Sequence, residues 1–270
     1  RISRLQLEGG LLDWFLTYPY WISVIFVAQV APYLLTLEVV RLGARVFFRQ
    51  SWLAWLGVEP WLVSTGLVLV VLFVVARVYQ DTFGVRARVR EHRVAGLPEG
   101  LEGLRIVHIS DVQADARTDQ TRLEAYIDVV NRQEADIVLF SGDLVTRGDA
   151  FIPAGAAALG KIRSRYGVYA CLGDHDIWSD SGMISERLEA EGVKLLENVH
   201  EQIRMPGGTV GLSVLTNAYS DRPDLGAFKT GNPGNAFSIL LTHQPTQEVV
   251  DFADEAGYRV MVAGHTHGGQ

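Results

Sequence analysis

"ADIVLFSGDLV" (residues 135–145) is an apolar run of strand length that stops on Ser141, Gly142 and Asp143. Short apolar runs bounded by turn signals read as buried strands. The same texture recurs in "LRIVHIS" (104–110), "GVYACLG" (167–173), "VGLSVLT" (210–216), "FSILLTH" (237–243) and "YRVMVAG" (258–264). Helical patterns separate several of them. "TRLEAYIDVVNRQEA" places Leu123, Tyr126, Ile127 and Val130 at helical spacing behind a Thr121/Glu124 capping box. "SGMISERLEAEG" and "TQEVVDFADEAG" each end at a glycine that suits a helix C-cap. Alternation of this kind predicts a layered α/β domain, whose sites form outside the carboxyl ends of its strands.

Those ends carry chemistry. The first strand finishes "SDVQ", giving Asp111 and Gln113, and the second "SGDLV", giving Asp143. The third finishes "LGDHD", giving Asp174, His175 and Asp176; later ones finish "LTHQP", giving His243, and "GHTHGGQ", giving His265 and His267. A lone aspartate after a strand is usually a turn former or helix cap. A lone histidine is usually packed or solvated, and His92, His108 and His200 are read so, with His92 and His200 exposed. The bland account does not explain the coincidence that four of the seven histidines sit at strand ends beside carboxylates and glycines. Imidazoles with carboxylates suit Mn, Fe, Zn or Mg, and a carboxylate can bridge two ions roughly 3.5–4 Å apart.

The ordered set "SDVQ", "SGDLV", "LGDHD", "LTHQP", "GHTHGGQ" resembles the signature of the calcineurin-like metallophosphoesterases, D-x-H, G-D, G-N-H-D/E, H, G-H-x-H, over about residues 101–270. The approach "GLPEGLEGLRIVHISD" behind apolar helices looks like the membrane-anchored bacterial branch of that family. The resemblance implies an α-β-β-α sandwich holding two divalent ions. Asp111, Gln113, Asp143 and His267 would surround one, and Asp143, Asp174, His243 and His265 the other, with Asp143 as bridge. It implies attack on phosphorus by a hydroxide that the ions make available, with His175 as acid or transition-state stabiliser, oriented by Asp176. It also implies further strands after residue 270. Two positions depart from the pattern. Gln113 stands for the D-x-H histidine and Asp174 for the G-N-H asparagine, which makes the centre oxygen-richer and more anionic and tilts it from Zn²⁺ or Fe toward Mn²⁺ or Mg²⁺. The same departures support a rival, a degenerate phosphoesterase fold acting as a membrane-tethered binding or scaffold module.

Mean hydropathy is +0.14, and 48% of the 270 residues are hydrophobic. The excess concentrates in residues 1–84. No charged side chain occurs from Trp14 to Leu37, and "WLVSTGLVLVVLFVVARVYQ" is apolar up to Arg77. Two membrane-spanning helices are expected, roughly 14–37 and 60–80, with the phosphoesterase domain in 85–270. Neither run resembles a secretory signal. Neither holds the intramembrane acid or base expected of a transporter pathway. Five arginines from Arg77 to Arg93 outnumber Arg41, Arg45 and Arg49, so the positive-inside tendency puts the domain on the cytoplasmic side of an inner or plasma membrane. "VRARVREHRV" alternates like a strand, "AGLPEGLEG" reads as a linker, and "NAYSDRPDLGAFKTGNPGNA" (217–236) as a loop at a pocket rim. A single cysteine, Cys171, excludes an internal disulfide. The expected partners are a phosphoester substrate, including lipid-linked ones, and the bilayer; nucleic acid is not expected.

Overall fold

The structure is a computed structural model that describes residues 13–47, 52–216, 225, 228 and 237–267. It divides into two compact units, Arg1–Val85 and Arg86–Gln270. Most of the loop expected over 217–236 lies outside the described residues.

The first unit holds two long helices, α1 (Tyr18–Phe47) and α2 (Trp52–Phe83), which pack on one another. Contact is close where the Tyr33 ring lies over Gly66, at a spot a Cβ would occupy. Phe15–Gly43 and Val63–Gln80 are long and apolar enough to cross a membrane, and almost none of either is buried by protein. Trp61, Leu69, Phe73 and Val75 instead turn outward. Pro32 sits inside α1, and one turn on, the Thr36 hydroxyl donates to the Pro32 carbonyl (2.8 Å).

The second unit stacks two four-stranded sheets. The first, in order β1-β2-β3-β4, joins β1 (Ile106–Ile109), β2 (Ile137–Phe140), β3 (Val168–Ala170) and β4 (Lys194–Leu195), all parallel. The second, in order β5-β6-β7-β8, joins β5 (Val199–Met205), β6 (Gly208–Leu215), β7 (Phe237–Thr242) and β8 (Val260–Ala263). Its β5–β6 pair is an antiparallel hairpin and its other pairs are parallel.

Side chains alternate across a strand, which explains the layers. Ile137 and Leu139 of β2 face the second sheet's Leu212, Val214, Ile239 and Leu241, while Val138 and Phe140 face the opposite way. That outer face is covered by α3 (Gln120–Asn131), α4 (Ile152–Gly160) and, beyond the short α5 (Asp174–Ile177), α6 (Ser181–Ala190). The outer face of the second sheet buries Leu215 and Leu240 against Val249 and Phe252 of α7 (Gln247–Glu255). The α-β-β-α sandwich follows. All four residues of β2 are buried, which is why it reads as a continuous apolar run rather than an alternation.

Several local readings need correction. Residues 85–94, expected to be a strand, have no ladder partner among the described residues. The stretch read as a turn-rich linker does turn, with a 3₁₀ turn at Glu99–Leu101, but it is also packed: Leu101 is buried between the layers, and Gly100 packs on Gly207. Asp119, not Thr121, caps α3 by accepting the Arg122 amide (3.1 Å); Glu124 instead meets Lys161 (2.8 Å). His200 is half-buried rather than exposed, stacked on Phe228 and bonded to Ser213 Oγ (2.7 Å). The glycines expected to end α6 and α7 do so, Gly192 at φ +77° and Gly257 at φ +75°.

Candidate metal centre

The loops leaving β1 and β2 zip together. The Asp111 amide donates to the Gly142 carbonyl (3.0 Å), Gln113 to Asp143 (2.9 Å) and Ala114 to Leu144 (2.8 Å). The β3 loop arrives at once beside them: a Cβ on Gly173 would overlap the Asp143 carboxylate and amide, so only glycine lets these two turns approach. Backbone strain collects at this edge. Of the seven non-glycine residues with positive φ among the described residues, five are Asp111, Gln113, Asp143, His265 and His267. Such conformations cost about 1–3 kcal/mol each and persist where the surroundings impose them, which is typical of ligand clamps.

Side chains from five strand ends converge there. His243 Nε2 lies 2.9 Å from Asp174 Oδ1 and 3.4 Å from Asp143 Oδ2. His265 Nδ1 lies 3.1 Å from the same Asp174 oxygen, and its amide donates to Asp111 Oδ1 (3.1 Å). Two clusters result, each with donor atoms within 4.8 Å of one another: Asp174, His243 and His265, and Asp111, Asp143 and His243. His267 Nε2 stands at the outer side, 3.6 Å from Asp111 Oδ1 and 3.4 Å from Gln113 Nε2. All seven expected donors therefore meet at one edge. His243 falls in both clusters, where the sequence assigned it to one.

His175 and Asp176 are not joined in the way the resemblance implied. The His175 amide donates to Asp143 Oδ1 (3.0 Å), while ring Nδ1 donates to the Thr146 carbonyl (2.6 Å). A carbonyl can only accept, so Nδ1 carries the proton and Nε2 is the reactive nitrogen. Asp176 makes no bond to that ring. Its buried carboxylate accepts the amides of Gly173 (3.0 Å), Asp143 (2.8 Å) and Leu144 (2.7 Å). Two residues of the site were not foreseen: Thr146, which holds His175 and is itself tied to Asp115 Oδ2 (2.9 Å), and Ser141, whose carbonyl fixes His243 Nδ1 (2.6 Å). Both act through backbone carbonyls, which residue type does not reveal.

The residues fit a cation. Asp111 Oδ2 is buried with no hydrogen-bond partner, one of three such side-chain oxygens among the described residues of this domain, with Thr216 Oγ1 and Gln244 Oε1, and the one that is a carboxylate. An orphaned carboxylate oxygen amid Asp143, Asp174, His243 and His265 calls for positive charge. The sequence profile of the calcineurin-like phosphoesterases matches residues 104–269. The chain belongs to that family. Relatives of this calcineurin-like phosphoesterase include a transmembrane protein with metallophosphoesterase domain from Danio rerio, 29% identical over 66% of this chain and 43% of its own. An uncharacterized metallophosphoesterase of Campylobacter jejuni is 29% identical over 64% of this chain and 46% of its own. Another, YkoQ of Bacillus subtilis, is 30% identical over 65% of this chain and 64% of its own. The matches thus span about half the length of those relatives, or somewhat more.

Electrostatics of the phosphoesterase centre point the same way. Burial alone would lower the pKa of His243, yet the hydrogen bond and charge of Asp143 hold it up at about 9. Asp143 is in turn kept below the usual carboxylate range by His243 and His175, against its own burial. Burial and then Asp176 and Asp143 push the Cys171 thiol well up, which keeps it in the protonated form. A cation binding at His243 Nε2 must expel that proton. Metal affinity is therefore expected to rise about tenfold per pH unit from 7 toward 9 and to level off above it. Competition with a chromophoric chelator across this range measures the slope; a flat profile would rule His243 out as a ligand.

Proposed function

We propose that the domain is a metal-dependent hydrolase of phosphodiester or pyrophosphate bonds, held at a membrane by the first unit. The observation that carries the reading is the orphaned Asp111 Oδ2 within the converging donors. An imidazole nitrogen offers one lone pair, so His243 would serve a single ion, with Asp174 and His265. Asp143 offers two oxygens and can serve both, joined on the far side by Asp111, Gln113 and His267. Bound divalent ions would lower the pKa of water and neutralise charge on the phosphoryl oxygens. His175 would act as acid in its doubly protonated form, with Nδ1–H held by the Thr146 carbonyl: as the oxygen of water, its own proton released to solvent, bonds to phosphorus and the bond to the leaving oxygen breaks, the proton on Nε2 passes to that leaving oxygen.

Detergent-purified protein, stripped of metal and titrated with Mn²⁺, Mg²⁺ or Zn²⁺, is expected to hydrolyse bis-p-nitrophenyl phosphate. Ion binding with no turnover under any metal would favour the tethered binding module instead. Asp174 adds a carboxylate where the family pattern has asparagine, and Gln113 replaces an imidazole, so Mn²⁺ or Mg²⁺ is favoured over Zn²⁺. Protein purified without added metal is expected to lack tightly held zinc; two zinc ions per chain by mass spectrometry would overturn that preference.

The outward apolar faces of α1 and α2 support the anchor, and the arginines from Arg77 to Arg93 support a cytoplasmic domain. A tethered site meets lipid-linked phosphoesters at high local concentration, and such lipids are the substrate class favoured here.

A further inference from the structure

We infer that Trp178 forms a leaving-group subsite beside His175, one that takes a planar aromatic group carried on the departing oxygen. This deepens the hydrolase reading and rests on it. Among the described residues of the second unit, the exposed large hydrophobic side chains are Val89, Trp178, Val199 and Val250. Trp178 is the aromatic one, at 62% exposure, and its ring lies 5.2 Å from that of His175 at an interplanar angle of 50°. Exposed tryptophan is costly to maintain without a use, because the indole is a large apolar surface with defined stacking faces.

Its place is fixed from below. Trp178 closes α5, its amide donating to the Asp174 carbonyl (3.0 Å), and the Ser179 hydroxyl donates to the His175 carbonyl (2.8 Å). The indole is thus mounted on the same turn as a metal-centre carboxylate and the proton donor. A leaving oxygen must come within about 3 Å of His175 Nε2 to receive its proton. Whatever that oxygen carries then extends outward beside the imidazole. A flat ring there can stack on the indole; the phosphoryl group, held at the ions, does not reach it. Trp178 therefore selects among leaving groups without contributing to phosphate binding.

The test separates the subsite from the chemistry by measuring binding rather than turnover. Full-length, Mn²⁺-loaded protein is titrated calorimetrically with inorganic phosphate, phenyl phosphate and butyl phosphate, as wild type, Trp178→Ala and Trp178→Phe. Trp178→Ala is expected to weaken phenyl phosphate about tenfold while inorganic and butyl phosphate stay within about twofold, and Trp178→Phe to recover most of the loss. Equal weakening of all three ligands would make Trp178 a mere support for His175 and overturn the subsite. An equal loss for butyl and phenyl phosphate would replace the planar group by an apolar chain, and an unchanged phenyl phosphate affinity would likewise defeat the proposal. Failure of wild-type protein to bind inorganic phosphate would instead bring down the hydrolase reading, and the subsite with it.

Discussion

Replacing Asp176 by alanine is expected to remove the metal centre without touching a ligand. Its side chain is 1% exposed, and its carboxylate is the common acceptor for amides of the β2 and β3 loops. Burial pushes its pKa up to about 6 against the pull of those amides, a sign of how little solvent reaches it. Truncation leaves the amides of Gly173, Asp143 and Leu144 buried without partners, at about 1–3 kcal/mol each, so a loss of at least about 3 kcal/mol is expected. The strained loop at Asp143, φ +60°, then loses the acceptor of its Asp143 and Leu144 amides and is held only by its ties to the β1 loop and to the His175 amide. Asp176→Asn keeps one acceptor but turns an NH₂ toward a donor, and should fall between. Chemical denaturation with metal content measured on the same samples checks both effects. An alanine variant with wild-type ion stoichiometry would refute this role.

The error in reading Asp176 is instructive. The family resemblance made Asp176 the residue that orients His175, but neighbouring positions on a helical turn point about 100° apart, so Asp176 turns into the domain while His175 turns to the edge. The strand ends that carry the candidate ligands were legible because hydrophobic runs mark where strands stop, and the runs of β2 and β7 are unambiguous. The strands β4 and β5 were not: "KL" and "VHEQIRM" are half-exposed, and their polar residues hide the alternation. Helix α4 escaped for the opposite reason. "IPAGAAALG" is apolar or small all round, so no periodicity marks a face, and burial on several sides is what permits it. The segment around Leu101 shows turn chemistry read correctly and burial missed, since Leu97, Leu101 and Leu104 enter the core at irregular spacing.

The second large effect falls on turnover and leaves the protein otherwise whole. His175→Ala is expected to lower kcat by about 10²–10⁴-fold, the usual contribution of a placed general acid. Metal content and melting temperature should hold, because the bond from position 175 to Asp143 comes from the backbone amide, which alanine retains. The Thr146 carbonyl loses its ring partner, but it is only part-buried and water can replace the imidazole. Leaving groups sharpen the test. A p-nitrophenolate departs with little protonation, whereas an alkoxide needs it, so the loss should be several-fold larger for an alkyl leaving group than for p-nitrophenyl. Equal losses for both would shift His175 from acid to electrostatic stabiliser of the phosphoryl oxygens. Loss of bound metal would mean that the ring, and not only the amide, holds Asp143 in place, and the division of labour between His175 and Asp176 would have to be redrawn.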